Sequence, residues 1–246
     1  MKLVFLGTTG YHPNERRHTA CLMLPEIGVV LDAGSGIFRA RRWLQTSELD
    51  IFITHAHLDH VMGLTFLFDV FAGRKMDRVT VHGEAAKLQA LDEHLFTDAI
   101  FPVRPPFQWQ SIAPVTPLPA GGRLTFFPLD HPGGSIGFRL DFPGRSLAYV
   151  TDTTARADAP YLDAIRGVDV LVHECYFGDG NEEWAQKTGH SCLSAVLDVA
   201  RATKPGRLFL SHVDPTSETD DPVGLKALQS RFPTAEIAVD GQEIEF

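Results

Sequence analysis

Cysteine is scarce in this chain: only Cys21, Cys175 and Cys192 occur, and no two of them form a Cys-x-x-Cys pair. The odd count argues for a reducing compartment, and the missing pair argues against a cysteine-built structural zinc site. Long apolar runs are also lacking, so no segment has the length of a membrane span. The opening Met1-Lys2-Leu3-Val4-Phe5-Leu6 is too short for a secretory apolar region and reads as a first strand. A cytoplasmic protein with no membrane partner is therefore expected. Positive charge is in short supply, 22 Lys and Arg against 31 Asp and Glu, for a formal net charge of -9. Proteins that grip long nucleic acid usually carry a basic face, so long nucleic acid is not an expected partner. The dense basic patches are two. Arg39-Ala40-Arg41-Arg42 reads as the solvated face of a helix from Gly36 to Leu44, and Glu15-Arg16-Arg17-His18 is either a solvated loop or a phosphate contact. Low-complexity segments and short repeats are absent.

What is present is concentrated in His55-Ala56-His57-Leu58-Asp59-His60, directly after the apolar run Ile51-Phe52-Ile53-Thr54. The run reads as a buried strand. Three imidazoles and a carboxylate at its exit compete for solvation as bare side chains. A divalent cation resolves the crowding, because neutral imidazole nitrogens and carboxylate oxygens are good zinc ligands. The competing reading is a polar loop in which Asp59 caps a helix beginning near Val61.

Further apolar stretches end in the same chemistry. Leu124–Leu129 leads to Asp130-His131, Ser146–Val150 to Thr151-Asp152-Thr153, Val168–Val172 to His173-Glu174, and Arg207–Leu210 to Ser211-His212. One histidine after a strand is commonly structural. Five strands that each deliver a ligand-type side chain at the C-terminal end read as a site grafted onto a rigid sheet.

The pattern His55-x-His57-x-Asp59-His60, followed by His131, Asp152 and His212, resembles the metallo-β-lactamase superfamily. The resemblance implies an α/β fold, a four-layer αββα sandwich formed by one domain over 1–246 and made of two similar halves. It implies one metal held by His55, His57 and His131, a second held by Asp59, His60 and His212, and Asp152 bridging them. The all-histidine first pair favours two zinc ions, with manganese or iron as alternatives because ligand type does not fix the metal. Asp59 would orient or deprotonate the attacking water, which makes a serine or cysteine nucleophile unnecessary. The Gly-rich turn Leu31-Asp32-Ala33-Gly34-Ser35-Gly36 resembles the family's acidic turn, and Asp32 is expected to hold loops by hydrogen bonds.

A second tier of motifs narrows the branch. His173-Glu174-Cys175-Tyr176-Phe177 and Gly189-His190-Ser191-Cys192 are similar to segments of the ribonuclease Z family. That resemblance implies that Glu174 orients His190 and that His190 donates a proton or hydrogen bond to the phosphoryl oxygens or leaving group. The short connection from His131 to Asp152 leaves no room for that family's long tRNA-gripping arm. The length, His190 and the ending Val239-Asp240-Gly241-Gln242-Glu243-Ile244 are similar to cyclic phosphodiesterases of phosphonate breakdown. The expected activity is hydrolysis of small or cyclic phosphodiesters by a hydroxide activated at two metals. A lactone, carboxyl-ester or thioester hydrolase, with Tyr176 or Tyr11 beside the metals, stays open. So do a tRNA 3′-processing endonuclease and a metal-binding protein without turnover. The superfamily resemblance also implies a homodimer.

The remaining expectations are structural. Strands are expected at 2–6, 19–24, 28–31, 49–54 and 79–81, and helices at 62–71, 84–94, 193–202 and 222–231. The segment Phe101 to Gly122 carries six prolines, which exclude a helix or a central strand. It reads as an ordered connection, or as a lid or subunit contact if Phe107 and Trp109 are exposed.

Overall fold

A computed structural model describes all residues, 1–246. They form two compact units, Met1–Ala113 with Asp240–Glu245, and Pro114–Val239 with Phe246.

In the first unit the apolar runs fold as β1 (Lys2–Gly7), β2 (Cys21–Leu24), β3 (Val29–Leu31), β4 (Glu48–Phe52), β5 (Arg78–Gly83) and β6 (Gln108–Ser111). β1, β2 and β3 pair antiparallel, and β3 to β6 pair parallel. Parallel strands need both faces covered, and Ile51, Phe52, Val79 and Val81 are accordingly buried. Val30, Ile37, Leu64, Leu67 and Phe71 share one cluster with Ile51, Val79 and Val81. Phe71 belongs to this core, whereas Phe68 is exposed.

The helix expected over 62–71 is broken into Leu58–Val61, a 3₁₀ segment Met62–Phe66 and Leu67–Val70. Gly63 explains the break. Its backbone lies so near the Ala33-Gly34 turn that an added Cβ would stand 2.3 Å from the Gly34 carbonyl oxygen. The first of these helices begins at Leu58 with no side-chain cap, so Asp59 is not its capping residue. The helix expected over 84–94 is α-helical over Ala85–Ala90 and then widens into a π-turn, Leu91–Leu95. Phe107 and Trp109 are half-buried rather than exposed, with their rings 5.4 and 5.9 Å from Phe96. The Trp109 indole N–H donates to Asp92 Oδ1 at 2.8 Å. The exposed aromatics that would mark a lid or contact are therefore missing from this segment.

The second unit contains β7 (Val115–Leu118), β8 (Gly122–Leu129), β9 (Ser135–Phe142), β10 (Arg145–Val150), β11 (Val170–Glu174), β12 (Arg207–Ser211) and β13 (Ala235–Ile237). β7 to β10 pair antiparallel and β10 to β13 parallel. β8, β10, β11 and β12 therefore run in one direction and release their C-terminal ends along one edge. The proline-rich segment supplies β6 and β7, each the edge strand of its sheet, where a lost N–H donor is tolerated. Between His131 and Asp152 lies only the β9–β10 hairpin, turned at Gly144 with φ 76°. The helix Leu193–Thr203 buries Leu193, Val196, Leu197, Val199 and Ala200, an apolar face at helical spacing, in the cluster that holds Leu171, Leu208 and Leu210. The helix expected over 222–231 is confined to Leu225–Leu228 and a short 3₁₀ turn, because Gly224 sits at φ 79°.

The chain ends in β14 (Glu243–Glu245), which pairs antiparallel with β1. Asp240 anchors this return, accepting hydrogen bonds from Thr8 Oγ1 at 2.7 Å, the His18 N–H at 2.6 Å and Arg39 Nη1 at 2.7 Å.

Candidate active site

In the first unit β4 ends at Phe52, and the six-residue motif follows on the turn into Leu58–Val61. The His55 ring lies 4.4 Å from that of His57 and 4.3 Å from that of His60. Asp32, at the end of β3, sits at φ 58° and is fully buried. Its Oδ1 accepts the Thr54 backbone N–H at 2.8 Å, and its Oδ2 lies 2.9 Å from His60 Nδ1. That contact assigns the proton of His60 to Nδ1 and leaves the Nε2 lone pair outward, as a carboxylate behind a metal-binding histidine does. His60 Nε2 is 3.4 Å from Asp59 Oδ2, and the same oxygen accepts the Tyr11 backbone N–H at 2.8 Å. Tyr11 is held at φ 57° with 75% of its surface exposed. Arg17, expected in a solvated or phosphate-meeting loop, is buried and donates to Thr8 Oγ1 at 2.5 Å.

In the second unit the strand edge gathers His131, Asp152, Glu174 and His212, joined by His190. Asp152 spreads its carboxylate between two imidazoles, with Oδ2 3.6 Å from His131 Nε2 and Oδ1 3.2 Å from His212 Nε2. One ligand-type atom from each of Asp152, His190 and His212 lies within 4.8 Å of the others. Asp152 and His212 have φ of 48° and 54°. Such backbone costs about 1–3 kcal/mol at each residue and gathers at functional positions. The Gly189 carbonyl accepts from His131 Nδ1 at 2.8 Å, which again directs Nε2 toward the carboxylate.

This donor set fits divalent cations. Buried imidazole nitrogens fixed with their lone pairs outward, together with carboxylate oxygens, are zinc-type ligands. Without a cation, the same groups set acceptor against acceptor.

His190, like His60, is backed by a carboxylate. Its Nδ1 is 3.3 Å from Glu174 Oε1. Glu174 is buried and also accepts backbone N–H groups from Thr153 at 3.0 Å, Tyr176 at 3.1 Å and Ser191 at 3.3 Å. The Tyr176 ring stacks on His190 at 4.6 Å with an interplanar angle of 20°. His173, the neighbour of Glu174, stays outside this group: its Nε2 meets the Tyr161 hydroxyl at 3.0 Å, and burial lowers its pKa. The helix Glu182–Thr188 leads to His190 through Gly189 at φ 74°. Sequence reading missed it because Ala185 is its one buried residue, so it shows no apolar stripe.

No thiol is placed for nucleophilic attack. All three cysteines are free and buried, and burial pushes Cys192 up to about 11. Gly133-Gly134-Ser135-Ile136-Gly137 spells the serine-hydrolase pattern, which sequence reading wrongly took to be absent. Ser135 instead opens β9 in an antiparallel hairpin and is buried, which is not the exposed strand-to-helix elbow the motif requires.

Residues 28–213 match the Beta-lactamase superfamily domain. The chain belongs to the metallo-β-lactamase superfamily. It is 24% identical over 312 aligned positions to the ribonuclease Z of Methanosarcina acetivorans, covering 100% of this chain and 98% of that protein. Among solved structures it is similar to the metallo-beta-lactamase fold protein YhfI from Bacillus subtilis, with TM-score 0.82, 19% identity, and coverage of 100% of this chain and 99% of that one. It is also similar to human tRNase Z, short form, with TM-score 0.78, 19% identity, and coverage of 100% and 99%. Two mixed sheets flanked by helices give the αββα metallo-β-lactamase fold expected from the sequence. The protein is thus a metal-dependent hydrolase of this superfamily.

One expectation is overturned. Long nucleic acid was set aside on the net charge of -9, yet the relatives that match the chain end to end are named ribonuclease Z. Net charge sums the whole surface, whereas a polyanion senses the local field, to which fixed dipoles and bound cations contribute. No helix is long and apolar enough to cross a membrane.

Proposed function

We propose that the chain is a phosphodiesterase in which seven residues hold two divalent cations, most simply zinc. His55, His57 and His131 would hold one, Asp59, His60 and His212 would hold the other, and Asp152 would be available to both. The observation that carries the diester reading is His190. It is held by Glu174 on Nδ1 and stands with Asp152 and His212 in a group whose ligand-type atoms lie within 4.8 Å of one another, and the proposal gives it a proton rather than a cation. The split of the Asp152 carboxylate between His131 and His212 supports the bridging role.

When bound, the cations supply Lewis acidity and a water ionised near neutral pH. Asp59, held in place by the Tyr11 N–H on its Oδ2, would accept a proton from the attacking water. His190 passes its Nε2 proton to the oxygen that departs as the P–O bond breaks, so the alcohol leaves neutral. Glu174 keeps the ring oriented and stabilises the imidazolium before the transfer. The same groups serve a small or cyclic diester and a diester within an RNA chain, and both belong to the proposed substrate class.

Tyr176 favours a second reading. A phenol stacked on His190 could serve the oxyanion of a lactone or thioester on the same core. The two readings separate on zinc- and manganese-loaded protein offered bis(p-nitrophenyl) phosphate, a cyclic nucleotide, a precursor tRNA and a lactone. Diester turnover well above lactone turnover is expected. Lactone hydrolysis with no diester cleaved by either metal form would defeat the proposal.

A further inference from the structure

Beside His190 the second unit contains a cavity of about 630 Å³ that the reaction described above does not use. His131 and His190 form part of its wall, and Thr154, Arg156 and Gln186 supply polar groups. Ala185 and Ala195 leave the space between them open, because both side chains are single methyl groups. The volume lies within the usual range of small-molecule sites, about 300–1,000 Å³.

The polar groups determine what fits. Neither the Thr154 hydroxyl nor the Gln186 carboxamide is spent on another protein group, so each has a donor and an acceptor available to a ligand. Arg156 is the one guanidinium in the wall, which it shares with the His190 imidazolium. Its Nε donates to Asp158 Oδ1 at 3.2 Å, and its Nη1 lies 3.7 Å from Asp130 Oδ2. Asp130 and Glu182 also line the cavity, so the guanidinium is offset and the cavity has no surplus of positive charge. A second phosphate would find no net attraction there. A hydrocarbon group would strip water from the hydroxyl, the amide and the guanidinium without replacing those hydrogen bonds. A neutral group rich in hydroxyls satisfies all of them.

We infer that this cavity receives the sugar of the departing alcohol and selects a ribose through Thr154 and Gln186. The inference rests on the phosphodiesterase reading, because His190 in the wall then hands its proton to the alcohol that occupies the space. A ribose offers vicinal hydroxyls that both donate and accept, which matches a hydroxyl and a carboxamide in a way that a deoxy sugar does not.

The test needs no turnover. Adenosine and 2′,3′-dideoxyadenosine are titrated calorimetrically into the zinc-loaded protein and into Gln186→Ala and Thr154→Val. Both substitutions are at positions not fully buried, and alanine suits the helix that carries Gln186. Wild type should bind adenosine about tenfold more tightly than the dideoxy compound, the scale of one or two net hydrogen bonds. Each variant should narrow that ratio about threefold or more. Ala195→Phe, which fills the space, should abolish binding of both. Equal affinity for the two nucleosides, or a ratio unchanged in both variants, overturns the ribose site. The parent reading fails separately. Lactone turnover without diester turnover removes the phosphodiesterase, whereas diester turnover without nucleoside discrimination removes only this cavity's role.

Discussion

At the scale of single residues, the site rests on how each histidine is held from behind. Asp32 holds His60, the Gly189 carbonyl holds His131, and Glu174 holds His190. All three contacts fix Nδ1. A histidine whose Nδ1 is fixed presents Nε2, and what Nε2 meets decides its role. His190→Ala should keep both metals while lowering kcat on a diester by about 10²–10⁴-fold, the usual contribution of a general acid. The loss should shrink for diesters with good leaving groups, which need little protonation, and Glu174→Gln should show a smaller loss in the same direction. Metal content and kcat across a leaving-group series check this, and loss of a metal from His190→Ala would make His190 a ligand. Asp32→Asn should lower metal affinity about 10–100-fold, the usual effect of removing such a support, as read by competition with a chelator. The ligand-type residues were legible in the sequence because their chemistry is dense and their order follows the superfamily. Their supports were legible only in part. The Glu174 role was expected and Asp32 was expected only to hold loops by hydrogen bonds, while a backbone carbonyl has no sequence signature, so Gly189 was not foreseen.

At the scale of elements, the apolar strands were read correctly because runs bounded by turns are strong local signals, whereas the polar and proline-bearing edge strands β6, β7 and β14 were not expected. The helices were read less well because two of them depend on contacts distant in sequence. Gly63 breaks one at a close backbone approach, and the helix Glu182–Thr188 carries almost no apolar face. That helix nevertheless sets the site, since its C-terminal Gly189 touches both His131 and Pro132. An added Cβ there would stand 2.7 Å from His131 Nδ1 and 2.3 Å from Pro132 Cδ, at φ 74°. Gly189→Ala should therefore destabilise the fold by more than about 1 kcal/mol and weaken metal retention, as seen by thermal unfolding with and without zinc. A separate tie joins β4 to β5. Burial alone would raise the pKa of Asp50, but hydrogen bonds from Arg78 and His82 outweigh it and hold the carboxyl at about 2. Its folded pKa is thus below the unfolded value, so its stabilisation is complete above about pH 4 and fades as pH falls toward 2. Acid unfolding of Asp50→Asn should lose part of the pH dependence of the wild type in that window. An unchanged acid transition would mean that the tie is not carried by the charge.

At the scale of the whole molecule, net charge was the weakest guide, and the relatives named ribonuclease Z corrected the exclusion of long nucleic acid. The ligand order was a strong guide, because it runs through the chain from His55 to His212 and few folds can use it. The central claim is that His55, His57, Asp59, His60, His131, Asp152 and His212 hold two metals and that activity depends on both. The most direct measurement is elemental analysis across a zinc titration of the apo protein and of Asp152→Ala, with diester turnover followed in the same samples. Two zinc ions per chain are predicted, with turnover rising as the second site fills, and a lower stoichiometry in Asp152→Ala. One tightly held metal per chain, unchanged in Asp152→Ala, would contradict the account.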